Sequence, residues 1–183
     1  MIVGRFVGVD ALAAVGSTGN LTNLVVNFFV GLSTGASVVI AQYYGAHNKD
    51  KIHQAVHTSY MLAIVSGIIM MLFGLFFSYQ CLDAIGVPHD ILNDASLYMR
   101  LYFLGMIPGA IYNIGSGILR AVGDSKRPLY YLIICSIVNV VFDFVLVVIL
   151  HKGIAGAAIA TFIAQTVCAI LVTLQLMFSK DVY

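Results

Sequence analysis

The stretch Cys135-Ser-Ile-Val-Asn-Val-Val-Phe-Asp-Phe-Val-Leu-Val-Val-Ile-Leu150 decides the fold, because it is apolar enough to cross a bilayer and yet has an acid inside it. The acid is Asp143, which is followed by seven apolar residues and preceded, one helical turn earlier, by Asn139. A carboxylate in the middle of a membrane costs roughly 2.5 kcal/mol or more, so it is usually kept for an ion, a proton or a partner group. Asp143 is therefore the first candidate functional residue.

The composition predicts a multi-pass protein of the cell membrane. Of the 183 residues, 61% are hydrophobic and only 9% are charged, whereas soluble domains have about 25% charged residues. The net charge is +1 and the few basic residues are dispersed, so we expect no nucleic-acid partner. No Ser/His/Asp set is evident in the sequence, and we expect neither an enzyme nor an organic cofactor.

Five apolar runs are long enough to cross a bilayer core about 30 Å thick. They are apolar on all sides, which favours helices over the alternating strands of a barrel. Pro108 lies inside the third run and predicts a kink there. We therefore predict an all-α integral membrane protein, residues 1–183 in a single bundle, with helices at residues 12–44, 52–79, 94–119, 129–150 and 154–178.

The distribution of lysine and arginine predicts the orientation, because cytoplasmic loops retain the excess of these residues. With five spans, six basic residues fall on one side of the membrane, namely Lys49, Lys51, Arg120, Lys126, Arg127 and Lys180. The opposite side holds three, Arg5, Arg100 and Lys152. We predict that the first side is cytoplasmic and that the N-terminus lies outside. The first eight residues are not expected to be a signal peptide.

Polar residues of the last two predicted helices match in depth. Asp143 lies seven residues before Leu150, and Thr161 lies seven residues after Ile154, so both are expected about 10 Å inside the outer face. Asn139 and Gln165 lie one turn deeper and match each other in the same way. Carboxylate, amide and hydroxyl oxygens suit a hard cation such as Na⁺, or a proton on the acid. The alternative is a buried acid that its neighbours hold only for helix packing.

Other polar residues are weaker candidates. Tyr112 and Asn113 lie deep in the third predicted helix, where an amide needs a partner or a water-filled cavity, and Asn113 is expected to line a pathway. His53 and His57 have the i, i+4 spacing of a metal pair, but no third ligand is evident, and an interfacial helix face is favoured. We expect no metal site beyond Na⁺.

Two further motifs are expected to be structural. Gly115-Ser-Gly117 has no following GxxG element, so phosphate binding is not expected there. The three cysteines, Cys81, Cys135 and Cys168, are far apart in sequence and form no CxxC pair, which indicates that they fill the core.

Four motifs in order resemble one family. They are Gly31-Leu-Ser-Thr-Gly-Ala-Ser-Val-Val-Ile-Ala-Gln-Tyr-Tyr-Gly-Ala46, Leu119-Arg-Ala-Val-Gly-Asp-Ser-Lys-Arg-Pro128, Asn139-x-x-x-Asp143 and Gly156-Ala-Ala-Ile-Ala-Thr-Phe-Ile-Ala-Gln165. The chain resembles the multidrug and toxic compound extrusion (MATE) transporters, which exchange Na⁺ or H⁺ for organic, often cationic, drugs and have two six-helix bundles around a cleft. The resemblance implies that this chain is five helices of the first bundle, without most of the first helix.

The resemblance also implies roles for individual residues. Asn139, Asp143 and Thr161 would belong to the cation site, and Tyr98 would lie near it, although a tyrosine at that position is also typical of the membrane interface. Independently of the resemblance, Tyr112, Asn113 and Gln165 are predicted to lie on the substrate pathway. The partners implied are small-molecule drugs, membrane lipids, and either the missing first helix and second bundle or a second chain.

Three functions are open at this point. The first is one lobe of a cation-coupled multidrug exporter that works by alternating access. The second is a flippase for lipids or lipid-linked sugars in the same superfamily, whose members usually line the cleft with basic residues, whereas Arg100 is the only obvious basic residue in these helices. The third is a non-transporting fragment.

Overall fold

The computed structural model describes residues 9–178, with side chains from residue 12 onward. This part of the chain is helical almost throughout, in seven α-helices and one π-helical segment. In chain order these are α1 (Val9–Ser17), α2 (Gly19–Gly45), α3 (Lys49–Ala84), α4 (His89–Leu104), α5 (Met106–Ala121), α6 (Lys126–Asp143), the π-helical segment (Phe144–Ile149) and α7 (Gly153–Phe178).

Four helices are long and apolar enough to cross a membrane, and a fifth crossing is formed if two bent helices count together. The four are α2, α3, α6 with its π-helical continuation, and α7; the bent pair is α4 and α5, whose axes differ by 49°. The prediction of an all-α, multi-pass membrane protein is therefore confirmed. The first predicted helix is divided at Thr18 into α1 and α2.

The bend between α4 and α5 lies at Gly105, which is not where the proline itself is. Pro108 is the third residue of α5, within the first turn, where a backbone N–H has no partner inside the helix and its absence costs little. The proline ring excludes continuous α-helix across the preceding turn, so α4 ends at Leu104 and α5 begins at Met106. The kink predicted for the third run is therefore present, and it lies three residues before the proline.

The core is centred on α5, which packs against α2, α3 and α7. Two glycines allow the close approach. A Cβ atom on Gly115 would lie 2.8 Å from Val172 Cγ1, and one on Gly117 would collide with Ser33 Oγ. Gly115 and Gly117 therefore allow close helix packing at these two positions.

The helix that carries Asp143 lies at the side of this core. α6 packs mainly against α7, and its side chains are largely exposed to the bilayer, with Pro128 and Cys135 as the buried exceptions within the helix. α4 contacts α3, α7 and α1. α7 is therefore the direct neighbour of α6, and α4 lies against α7. Residues near Asp143 can come from either helix.

Candidate cation site

Asp143 is the last α-helical residue of α6, and the π-helical segment begins at the next residue. In the π-helical segment, backbone bonds skip one residue more than in an α-helix, as in the bond from Leu150 N to Val145 O of 2.9 Å. π-Helical turns are rare and are frequent at functional sites. The acid therefore lies at a local change of helix geometry within an apolar helix.

One oxygen of the Asp143 carboxyl group is buried and has no hydrogen-bond partner among residues 12–178. A buried polar atom without a partner loses the full free energy of its hydration, and a charged one loses more. Nearly all such atoms in folded proteins are satisfied. Asp143 Oδ1 is therefore an atom that a proton or a cation would satisfy.

Asn139 and Thr161 connect α6 to α7 one turn from Asp143. Asn139 Nδ2 donates a long hydrogen bond of 3.4 Å to Thr161 Oγ1, and Thr161 Oγ1 donates to Ala157 O at 3.0 Å. Because the amide nitrogen and the hydroxyl proton are both used in these bonds, the oxygens Asn139 Oδ1 and Thr161 Oγ1 retain lone pairs for a further partner.

The depth argument placed Thr161 opposite Asp143. In the structure, the hydrogen-bond partner of Thr161 is Asn139, one turn deeper on α6. The π-helical segment Phe144–Ile149 lies between Asp143 and the turn to α7, so a depth count that assumes α-helical geometry throughout does not describe this part of the helix.

Tyr98 of α4 is close enough to Asp143 for their charges to interact. Its ring stacks on that of Tyr102, with 6.1 Å between the centroids. Both tyrosines are half-buried, which differs from residues of an exposed interfacial belt. Tyr102 was not predicted as a site residue, although its i, i+4 spacing from Tyr98 was a signal that both share one helix face.

The depth argument predicted Gln165 beside Asn139. In the structure, the Gln165 side chain lies instead against the break between α4 and α5. A Cβ atom on Gly105 would collide with Gln165 Oε1, and one on Gly109 would lie 3.5 Å from it. The Tyr102 hydroxyl group interacts with the Gln165 side chain. Even so, Gln165 Oε1 is a second buried oxygen without a partner of acceptable hydrogen-bond geometry in the described part of the chain.

Tyr112 and Asn113 have partners elsewhere. Asn113 Nδ2 donates to Gly109 O of its own helix at 2.8 Å, and its backbone carbonyl accepts a bond of 2.6 Å from Ser33 Oγ. The Tyr112 hydroxyl donates to Pro128 O at 3.2 Å, near the start of α6. Within residues 12–178, neither side chain has a hydrogen bond to the Asp143 cluster.

The two histidines with i, i+4 spacing, His53 and His57, are both exposed on α3. Among the described residues, no group of three or more His, Cys, Asp or Glu side chains that could hold a metal ion is found.

Two of the cysteines form a disulfide and do not simply fill the core. Cys135 of α6 and Cys168 of α7 are bonded, with 5.9 Å between their Cα atoms, while Cys81 is free. The signal in the sequence was positional: Cys135 is one turn before Asn139, and Cys168 is two turns after Thr161, so the cysteines share the helix faces of the polar pair.

The fold and the site define a multi-pass membrane protein with a buried acidic residue and neighbouring oxygens between two transmembrane helices. The model of the MatE family matches residues 1–145. The probable multidrug resistance protein YoeA of Bacillus subtilis is 34% identical over 176 residues, which are 94% of this chain and 38% of YoeA. The probable multidrug resistance protein YpnP of the same organism is 28% identical over 166 residues, with 89% and 37% coverage.

Solved structures of similar sequence have the same fold. A MATE protein in a bent conformation superimposes with a TM-score of 0.93 and 27% identity over 98% of this chain and 40% of its own. An inward-facing multidrug resistance MATE transporter of the MOP superfamily also has a TM-score of 0.93, with 27% identity over 100% of this chain and 41% of its own.

A third solved structure differs in its described chemistry. It is a MOP superfamily transporter from Pyrococcus furiosus, described as having a binding pocket of reverse polarity that suggests a different function. It has a TM-score of 0.90 and 27% identity over 100% of this chain and 41% of its own.

The chain therefore belongs to the MatE family, a family of transporters and not of enzymes. It spans 38% of the length of YoeA and 37% of that of YpnP.

Proposed function

We propose that this chain forms part of a cation-coupled antiporter that exports organic, often cationic, drugs across the cytoplasmic membrane by alternating access. The observation that supports the proposal most directly is Asp143 Oδ1, a buried carboxylate oxygen without a hydrogen-bond partner in the described residues. An acid in this position is costly for a membrane helix. Reversible binding of a coupling cation or proton would explain why an acid is present at this position.

The proposed cation site consists of Asp143, Asn139, Thr161 and Tyr98. Asp143 supplies the negative charge, and Asn139 Oδ1 and Thr161 Oγ1 supply neutral oxygens, because their hydrogens are engaged as described above. Tyr98 of α4 is close enough to the same carboxylate for an electrostatic interaction. Oxygen ligands suit Na⁺, and a hydrogen-bonded carboxyl group suits H⁺. Either ion serves as the coupling ion in this proposal, and no organic cofactor is needed.

Occupancy of the site would act on the helices through charge. A cation or proton neutralises Asp143 and so changes its interaction with Tyr98, which belongs to the part of the bent span before Gly105. A ligand shifts a conformational equilibrium only when it binds one state better than the other. We propose that the outer part of this span, α4, takes up different positions with and without the ion.

The substrate pathway in this proposal includes Gln165, Tyr112 and Asn113. Gln165 carries an unpartnered buried oxygen at the break of the bent span, and discontinuous transmembrane helices are a common feature of transporter binding sites. Tyr112 and Asn113 lie further along α5, between the break and the cytoplasmic end of the helix, so an exported substrate would pass them before it reaches Gln165.

The remaining partners follow from the length of the relatives. Because the chain spans 38% of YoeA, we propose that further transmembrane helices complete the cation site and the drug cleft. A first helix and a second bundle of the same polypeptide, or a second chain, would supply them.

The test measures efflux of a cationic dye by the intact protein. A Na⁺ gradient and a pH gradient are imposed separately, one in each experiment. Asp143→Asn is expected to abolish efflux at an unchanged amount of protein in the membrane. Asp94→Asn is the matched control, because Asp94 is an exposed acid of α4, and it should transport as the parent does. Undiminished efflux by the Asp143→Asn protein would refute the proposed coupling.

A flippase for lipids or lipid-linked sugars is the second candidate function. It is favoured by the likeness to the Pyrococcus transporter, whose pocket is described as having reverse polarity. The charges of this chain support it less, because Arg100 and Arg120, the arginines within the α4 to α5 span, are both exposed at the surface. Flipping of a fluorescent lipid in vesicles, without dye efflux, would select this function over drug export.

A further inference from the structure

A covalent bond joins α6 and α7 on the inner side of the proposed cation site. Cys135 is 5% exposed and Cys168 is 4% exposed, so their disulfide is buried in the seam between the two helices. The Cα atoms are 5.9 Å apart, within the usual range for a disulfide. α6 and α7 are therefore covalently joined at this level.

α6 and α7 are covalently connected at two levels, and the proposed cation ligands of these two helices lie between the two connections. On the outer side, residues 150–152 join the π-helical segment to α7, with a backbone bond of 2.9 Å from Lys152 N to Leu146 O. On the inner side is the disulfide, one turn from Asn139 and two turns from Thr161. Asp143 and the bond between Asn139 and Thr161 are inside the closed ring.

A ring of this kind restricts the relative motion of its two sides. Without the disulfide, α6 and α7 are joined at one end and can slide or separate at the other. With both connections, Asn139 and Thr161 stay at one level, and the oxygens that face the cation keep their spacing. Binding is tighter when ligands are held in the bound arrangement beforehand, because less conformational entropy is lost.

We propose that Cys135 and Cys168 are positioning residues for the cation site, whose disulfide holds the α6 ligands and the α7 ligand in the arrangement that binds the ion. This rests on the proposed function, since it requires a coupling cation at Asp143. The consequence for transport is that α6 and α7 move as one unit, and changes of shape at the site come from α4 or from helices outside this chain.

The experiment compares Cys135→Ala, Cys168→Ala and the double variant of the intact, purified protein. The readout is the Na⁺ or H⁺ concentration that gives half of the maximal cation-dependent rise in unfolding temperature. All three variants are expected to need a concentration higher by roughly fivefold or more. The three shifts are expected to be equal, because the first substitution already removes the bond.

Two controls separate positioning from packing. Cys81→Ala removes the free thiol of α3 and is expected to leave the midpoint concentration unchanged. Valine at both positions, Cys135→Val with Cys168→Val, restores side-chain volume without a bond and should show the same shift as the alanine variants. In the parent protein, peptide mapping without reductant should recover the peptides of Cys135 and Cys168 linked together.

Several results would overturn the inference. Unlinked peptides would do so, as would additive shifts in the single variants, or a lower unfolding temperature with an unchanged cation midpoint, which is the behaviour of packing alone. If the cysteine variants are unchanged while Asp143→Asn abolishes the cation effect, the positioning role fails and the cation site stands. If Asp143→Asn also leaves the cation effect intact, both fail.

Discussion

Asn139 of α6 donates a hydrogen bond of 3.4 Å to Thr161 of α7, and this contact aligns the two helices one turn away from Asp143. The Thr161 hydroxyl proton is directed to Ala157 O, so the threonine oxygen faces Asn139 as an acceptor. The acid itself has one oxygen without a partner. Asn139, Thr161 and Asp143 thus form a partly satisfied cluster, in which the unsatisfied group is the charged one.

Replacing Thr161 by valine should weaken cation binding without unfolding the protein. Valine keeps the shape but removes the oxygen, and one hydrogen bond or ligand is worth about 1 kcal/mol, which corresponds to roughly a fivefold to tenfold higher midpoint concentration in a cation-dependent thermal shift. The matched control is Thr166→Val, one to two turns further along α7, whose hydroxyl bonds only to Phe162 O of its own helix, at 2.8 Å. Equal midpoints for the two variants would contradict the assignment of Thr161.

Asp143→Asn should raise the unfolding temperature in the absence of Na⁺ at neutral pH. The substitution removes a charge from a buried position that lacks a partner for one of its oxygens, and this charge costs about 2–3 kcal/mol in a membrane helix. Asp94→Asn, at an exposed position, should change the unfolding temperature little. A clear loss of stability on Asp143→Asn would mean that the carboxylate has a strong partner outside the described residues.

Gly105→Ala should destabilise the protein by about 1 kcal/mol, because the new methyl group would displace the flexible end of the Gln165 side chain at the break between α4 and α5. Adding Gln165→Ala should recover most of the loss, as measured by thermal unfolding in detergent. Gly31→Ala is the control, since no described atom lies within 4 Å of its added Cβ. If Gln165→Ala gives no recovery, the cost of Gly105→Ala comes from the backbone and not from this contact.

Gly74→Ala should be destabilising by a similar amount, because the Cβ atom would enter the ring of Phe103 between α3 and α4. Phe103→Leu combined with Gly74→Ala should be more stable than the sum of the two single effects predicts. A double-mutant cycle of unfolding free energies measures the coupling. Strict additivity would show that the two residues are not in contact in the folded protein.

The orientation can be tested by labelling single cysteines with a membrane-impermeant reagent in intact cells, in a background that lacks Cys81. Lys152→Cys, in the exposed turn before α7, should be labelled from outside. Lys51→Cys, exposed near the start of α3, should be labelled only after the membrane is opened. The reverse pattern would invert the topology inferred from the lysine and arginine distribution.

Much of the fold could be predicted from the sequence, because a bilayer imposes strong conditions on it. Every backbone polar group in hydrocarbon must be paired, so a long apolar run has to be a helix, and the five predicted crossings correspond to four spanning helices and one bent pair. The importance of Asp143 follows in the same way, from the cost of its charge in an apolar run.

The contacts between these helices were decided only by the tertiary structure. Asn139 rather than Asp143 is the hydrogen-bond partner of Thr161, and the π-helical segment after Asp143 was not evident in the sequence. The packing of helix faces against their neighbours also places Tyr98 near Asp143 and Cys135 next to Cys168.

The sequence by itself thus determined which segments cross the membrane and which acid is costly there, since both depend on the free energy of transferring individual residues into lipid. The pairing of residues from different helices depends on axial rise, bends and crossing geometry. Those are set when α4, α6 and α7 pack together, because a shift of one residue along a helix turns a side chain by about 100° to a different neighbour.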